Sequence, residues 1–227
     1  MIRAAATAVS GYYTDRLSAD RLARCYELAP PAVRRYLEAE ILHILSAIRP
    51  GDRVLELGCG YGRVLARLAP EATFVAGIDV SLTSLARAAR RTPFRLAAMD
   101  AARLGFRPGS FDLVCCPQNG ISAFHADQRT LIESAVRAAA PGGGVQFFSY
   151  AEEFWDSRLA WFRLQVSEGL IGEIDEAASG NGTIVCRDGF TATTVSPERF
   201  TELARGLGRS VSVSVLDHAS VVCEIAV

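Results

Sequence analysis

Apolar and polar residues follow two different periods along this chain, and the changes of period divide it into elements. In "PAVRRYLEAEILHILSAI" the apolar positions Val33, Leu37, Ile41, Ile44 and Ile48 advance by four, four, three and four residues, lining one face of a helix. Ahead of it, "SADRLARCYELAP" reads as a shorter helix capped by Ser18 and stopped at Pro30. After the turn at Pro50-Gly51, short apolar runs predict strands in Arg53–Leu57, "TFVAGIDV", "PFRLAAMD", "SFDLVCC" and "GGVQFFSY". Between them lie the helical stretches "RVLARLA", "SLTSLARAARR" and "DQRTLIESAVRAAA", the last ending at Pro141. Strands alternating with helices predict an α/β fold, a parallel sheet with helices on both faces joined by right-handed crossovers.

That rhythm breaks at residues 151–195. "AEEFWDSRLAWFRLQVSEGL" sets Trp155, Leu159, Phe162, Val166 and Leu170 on one helical face, and "GTIVCRDGFTATTV" reads as a hairpin turning at Asp188-Gly189. A helix and hairpin inserted after the fifth strand are a candidate lid; packing on the sheet is their other use. Ser196-Pro197 starts a final helix, "ERFTELARGLG", and the strands "SVSVSVLDHA" and "SVVCEIAV" close the chain. The expected organisation is one domain over residues 1–227: a helical cap (1–50), a core (51–150), the insertion (151–195) and a closing segment (196–227).

Composition narrows the chemistry by one absence. All 24 basic residues are arginine. Without lysine there is no Walker phosphate loop, no protein-kinase strand lysine and no Schiff-base amine. A formal charge of −1 and the lack of a basic patch beyond "RAARR" give no reason to expect nucleic acid as a partner. No apolar stretch approaches the ~20 residues of a membrane helix, and "MIRAAATAVSGYY" lacks a signal-peptide core. Cys25, Cys59, Cys115, Cys116, Cys186 and Cys223 show no metal-type spacing, so free thiols and a cytoplasmic location are expected.

The candidate chemistry starts at "VLELGCGYGR". A glycine loop between a strand and a helix lets a ligand approach the backbone and its N–H donors. Here Gly58, Gly60 and Gly62 give G-x-G-x-G rather than the dinucleotide G-x-G-x-x-G, and Glu56 precedes them. A pyrophosphate is poorly matched to that acid, whereas a cationic amino-acid moiety is well matched. Asp79 ends the second strand, 21 residues after Gly58, where a carboxylate can accept from both ribose hydroxyls; Asp100 ends the third, placed for an adenine amino group. Each acid alone also reads as a helix cap.

As a set, "VLELGCGYG", "GIDVS", "MDAARLGF", "FDLVCC" and "AAAPGGGVQFF" resemble the motifs of the class I S-adenosylmethionine-dependent methyltransferases, over about Gly51 to Tyr150. The resemblance implies a Rossmann-like, doubly wound, seven-stranded, mostly parallel sheet whose last strand is inserted antiparallel. S-adenosylmethionine would be the cofactor and S-adenosylhomocysteine the product. Glu56, Gly58, Cys59, Gly60 and Gly62 would border the methionine part, and Asp79 would hold the ribose. Val80 would lie against the adenine, with Asp100 and the Ala101 N–H on its edge, and Cys116 would line the methionine end.

Methyl transfer from a sulfonium is an in-line displacement that needs alignment and exclusion of water, and a base when the nucleophile carries a proton. In "CCPQNGISAFH", Asn119 could orient an acceptor and His125 could act as base, a surface position at a helix start being the more ordinary reading of His125. His43 and His218 look structural. The segment lacks the Asn/Asp-Pro-Pro-aromatic motif of amino-methylating DNA enzymes and the acidic cluster of metal-dependent catechol-type enzymes, so no metal is expected. Tyr12, Tyr13, Phe154 and Trp155 are candidates for the acceptor pocket or its cover, core packing being their ordinary use. The expected partner is a small-molecule acceptor; the N-terminal helices suit either a monomer or a homodimer. The competing readings are a cofactor-binding, non-catalytic scaffold and an NAD-dependent dehydrogenase, which Asp79 alone would suit.

Overall fold

The computed structural model describes residues 11–91 and 95–227. Helices α1 (Tyr12–Asp15), α2 (Ala19–Glu27) and α3 (Pro31–Ala47) precede β1 (Arg53–Leu57), α4 (Leu65–Leu68), β2 (Phe74–Asp79), α5 (Leu82–Ala89) and β3 (Arg95–Ala98). Then come β4 (Phe111–Cys116), α6 (Gly120–Ala123), α7 (Gln128–Ala138), β5 (Ala139–Tyr150) and α8 (Trp155–Ser167). The short pair β6 (Ile184–Val185) and β7 (Thr191–Ala192) leads to α9 (Pro197–Ala204), β8 (Ser210–Leu216) and β9 (Ser220–Ala226). Of the predicted third strand, Pro93 and Phe94 lie outside the described residues, as do residues 1–10 of the predicted cap. No helix among the described residues is long and apolar enough to cross a membrane.

Seven strands form one sheet in the order β3-β2-β1-β4-β5-β9-β8. The first five run parallel, and β9 lies antiparallel between β5 and β8. Alternation along each strand sends side chains to opposite faces. Leu55, Leu57, Ile78, Val114, Cys116 and Phe147 pack with Leu131 and Ile132 of α7 and Phe200 of α9. Val54, Val75, Leu113, Cys115 and Phe148 pack with Ile41 and Ile44 of α3 and Leu65 and Leu68 of α4. Adjacent Cys115 and Cys116 therefore face opposite layers. A third apolar cluster joins α2 and α3 to α8 and the β6–β7 hairpin at the end of β5, through Val33, Tyr36, Tyr150, Phe154, Trp161 and Phe190 among others.

Three local expectations are corrected. α7 stops at Ala138, because Ala139 is already paired with Phe111; the register then slips around Pro141-Gly142-Gly143 before Leu113 meets Gly144. The helix after the glycine loop is confined to four residues. On α8 the buried side chains are Arg158, Trp161, Phe162 and Gln165, so the inward face is turned by about one residue from the apolar stripe, with Trp155, Leu159 and Val166 only half-buried at its border. An arginine and a glutamine on the inward side hid that face from hydropathy. The hairpin does turn at Asp188-Gly189, where Cys186 N–H donates to the Phe190 carbonyl.

Candidate functional site

The C-terminal ends of the parallel strands share one edge of the sheet, and the chain leaving β1 turns there through the glycine loop. Gly58, Gly60 and Gly62 have φ of 71°, 52° and 82°, the left-handed region where a side chain is strained. A Cβ on Gly58 would lie 2.6 Å from the Phe124 ring, and one on Gly60 would lie 3.2 Å from Leu22 of α2. Cys59 N–H donates to the Ile78 carbonyl at 2.9 Å, which ties the loop to β2. The Cys59 thiol itself turns down onto Gly77, so this residue has only its backbone to offer a ligand. Cys116 likewise places its sulfur against Gly120 rather than outward.

Asp79 locks the loop to the next helix. One carboxylate oxygen accepts from Gly60 N–H at 2.8 Å and the other from Ser81 N–H at 2.7 Å, while burial raises its pKa. Val80 beside it is 43 % exposed, an apolar side chain left uncovered at the strand end. Asp100 caps the short turn over Ala101–Arg103 by accepting from Ala102 N–H at 2.9 Å, with Ala101 buried beneath it. Both acids thus do the capping that any strand-end acid can do, and both stand at or just past the C-terminal ends of their strands.

Glu56 differs. It is 2 % exposed, and Oε2 has no hydrogen-bond partner. Burial pushes its carboxyl up to about 8, opposed by the nearby positive charge of Arg63 and reinforced by Asp79. Arg63, at the exit of the loop, was not singled out in the sequence. Its Nε and Nη2 are buried without partners, and its guanidinium lies 4.7 Å from the Tyr26 ring centre. An unpaired acid and an unpaired guanidinium beside a glycine loop suit the ammonium and carboxylate of an amino-acid moiety. On this chemistry Glu56 and Arg63 would suit the methionine end of S-adenosylmethionine.

The segment after β4 is more tied down than its sequence suggested. Asn119 is buried; its Nδ2 donates to the Thr193 carbonyl at 2.7 Å and its Oδ1 accepts from the Ser149 hydroxyl at 2.8 Å. The expectation of an amide free to orient an acceptor is corrected: Asn119 links β4, β5 and the insertion. His125 stands exposed just past α6, at φ 49°. Burial holds the Cys115 and Cys116 thiols far above their ordinary pKa, which disfavours thiolate chemistry at either.

The four aromatic candidates converge on the third cluster. Tyr12 donates to Asp188 at 2.6 Å and meets Phe190 edge-on, with ring centres 4.9 Å apart; burial and Asp188 push its phenol up to about 12. Tyr13 also packs edge-on against Phe190. Phe154 stacks on Tyr36 at 5.0 Å. Trp155 borders the guanidinium of Arg158 at 5.9 Å. Glu40, one turn beyond Tyr36, was also missed. It is fully buried and accepts from the Ser220 hydroxyl and Gln118 N–H, with burial pushing its carboxyl up to about 7. Only three-dimensional neighbours mark it: in sequence it sits among ordinary helix acids. His43 is accounted for by its 3.1 Å contact with Glu224.

Comparison with known proteins matches residues 54–143 to a family described as a methyltransferase domain. The 2-methyl-6-phytyl-1,4-hydroquinone methyltransferase of Synechocystis sp. is 31% identical over 127 residues, 50% of this chain and 39% of that protein. The demethylmenaquinone methyltransferase of Beutenbergia cavernae is 39% identical over 100 residues, 42% of this chain and 41% of that protein. The chain thus spans about two fifths of the length of these two relatives. Among solved structures, the N-methyltransferase NodS of Bradyrhizobium japonicum, in complex with S-adenosylhomocysteine, superposes with TM-score 0.56 at 20% identity, covering 92% of this chain and 93% of its own. That likeness shows the shared fold. The motif order, the inserted antiparallel β9 and the methyltransferase-domain match over residues 54–143 together support a class I S-adenosylmethionine-dependent methyltransferase.

Proposed function

We propose that the protein transfers a methyl group to a small organic acceptor received at the end of β5, between the N-terminal helices and the insertion. The observation that carries this reading is the set of buried, unpartnered atoms beside the glycine loop, Glu56 Oε2 and Nε and Nη2 of Arg63. S-adenosylmethionine, when bound, supplies a methyl group made electrophilic by its sulfonium. The chain's own residues bind and orient: Glu56 and Arg63 hold the two charges of the amino-acid end, Asp79 the ribose, and the glycine backbone permits close approach. The aromatic cluster around Tyr36, Tyr150, Phe154 and Phe190 keeps water from the acceptor side. The two relatives are named for a hydroquinone and for demethylmenaquinone, but they match over at most half of this chain; the acceptor surface here is built mostly by the insertion and α1–α3.

Calorimetric titration with S-adenosylmethionine, S-adenosylhomocysteine and NAD tests the reading. Binding of the first two and not of NAD is expected, lost in Asp79→Ala. Binding of NAD alone overturns it in favour of a dehydrogenase. Tight cofactor binding without turnover across a broad acceptor screen favours a non-catalytic scaffold.

A further inference from the structure

Arg158 is the largest fully buried side chain among the described residues, and none of their carboxylates forms an ion pair with it. Its Nη1 donates to the Gly182 carbonyl at 2.8 Å, just ahead of β6, and its Nη2 to the Ala192 carbonyl at 2.7 Å, at the end of β7. These use two of the five donors of a guanidinium; Nε has no partner. No carboxylate of the described residues pairs with it, and residues 1–10 and 92–94 contain no Asp or Glu. Its nearest surroundings are rings: Tyr150 at 4.4 Å, Phe162 at 5.5 Å and Trp155 at 5.9 Å from the guanidinium carbon. Tyr36, stacked on Tyr150, has a buried hydroxyl that also lacks a partner. Burying an unpaired cation is strongly unfavourable, and aromatic faces recover only part of that cost. Such a site is complete only when an anion enters.

Its position says which anion. Tyr150 ends β5, at the strand-end edge that carries the glycine loop, and Ala192 is followed by Thr193 and Val195, which are bonded to Asn119 and Ser149. Arg158 therefore stands on the acceptor side, walled by aromatic rings. Resting on the methyltransferase reading above, we infer that the methyl acceptor carries a carboxylate on an apolar or aromatic body, and that Arg158 is the residue that selects it.

The test uses the full chain, saturated with S-adenosylhomocysteine, and titrates benzoate against benzamide, its uncharged counterpart. Trp155 and Trp161 lie in the same cluster, so their intrinsic fluorescence reports binding. Benzoate is expected to bind at least about tenfold tighter than benzamide, with the preference abolished in Arg158→Met while S-adenosylhomocysteine affinity stays within about twofold. Equal response to benzoate and benzamide in the wild-type protein overturns the inference, and needs no variant. A benzoate preference that survives in Arg158→Met, or in Arg158→Gln if the methionine variant fails to fold, overturns it too. Failure of S-adenosylhomocysteine to bind at all instead defeats the cofactor reading on which it rests.

Discussion

Replacing Glu56 by glutamine should make the free protein more stable and the cofactor-bound protein weaker. In the folded chain, burial moves this carboxyl from its ordinary 4.5 to about 8. The folded state then holds the proton more tightly than the unfolded state. Its contribution is complete below about pH 4.5 and is lost as pH rises through about 8. At ~1.4 kcal/mol per pH unit, the ceiling on that loss is about 5 kcal/mol, and relaxation around the charge brings it to a few kcal/mol. Glu40, pushed up to about 7, adds a loss of the same sign that is over sooner. Urea unfolding at pH 5, 7 and 8.5 should therefore show wild-type stability falling across the whole range, with Glu56→Gln levelling off above pH 7. The bound ammonium is the missing counter-charge. S-adenosylhomocysteine binding at pH 7 should consequently release close to one proton, seen as a heat that depends on the buffer's ionisation enthalpy. Glu56→Gln should bind about tenfold or more weakly and lose that dependence. A glutamine variant that is no more stable than wild type at pH 8.5, or a wild-type binding heat that does not depend on the buffer, refutes the argument.

Other outcomes follow from contacts already described. Gly58→Ala meets both a left-handed φ and the Phe124 ring, so a loss of about 2 kcal/mol or more is expected in denaturant unfolding; adding Phe124→Ala should recover the steric part but not the backbone part. All six cysteines are buried and free, so a thiol reagent should label none in the folded protein and six in denaturant. Rapid labelling of Cys115 or Cys116 in the native state would contradict their placement. Tyr12→Phe removes the 2.6 Å bond to Asp188 and should cost about 1 kcal/mol in thermal or urea unfolding.

The sequence was most legible where a single period or a backbone constraint controls the outcome. The apolar runs of β1, β2 and β4 locate the sheet, and the stepping of Val33, Leu37, Ile41 and Ile44 locates the buried face of α3. Gly58, Gly60 and Gly62 all adopt the positive φ that only glycine enters freely. The sequence was least legible where a polar residue is buried by partners far along the chain. Arg158 is held inside by carbonyls 24 and 34 residues away, and Glu40 by Ser220, 180 residues on. Hydropathy assigns such residues to the surface, which is why the inward face of α8 was misplaced by a residue. Asn119 failed differently. Its chemistry suits catalysis and bracing equally, and only the positions of Ser149 and Thr193 decide.

The reversed strand β9 also fixes where the molecule can be handled. Because it runs against its neighbours, its start supplies Ser220 to Glu40 at the cleft end, and its last residues pair with the beginning of β5. Val227 exchanges hydrogen bonds with Gly142 and Gly143 there. Seven residues at ~3.3 Å each set it about 20 Å from the strand-end edge. A surface tether or fluorophore attached at Val227 would leave the glycine loop facing free solution, so immobilised protein should keep its full capacity for cofactor.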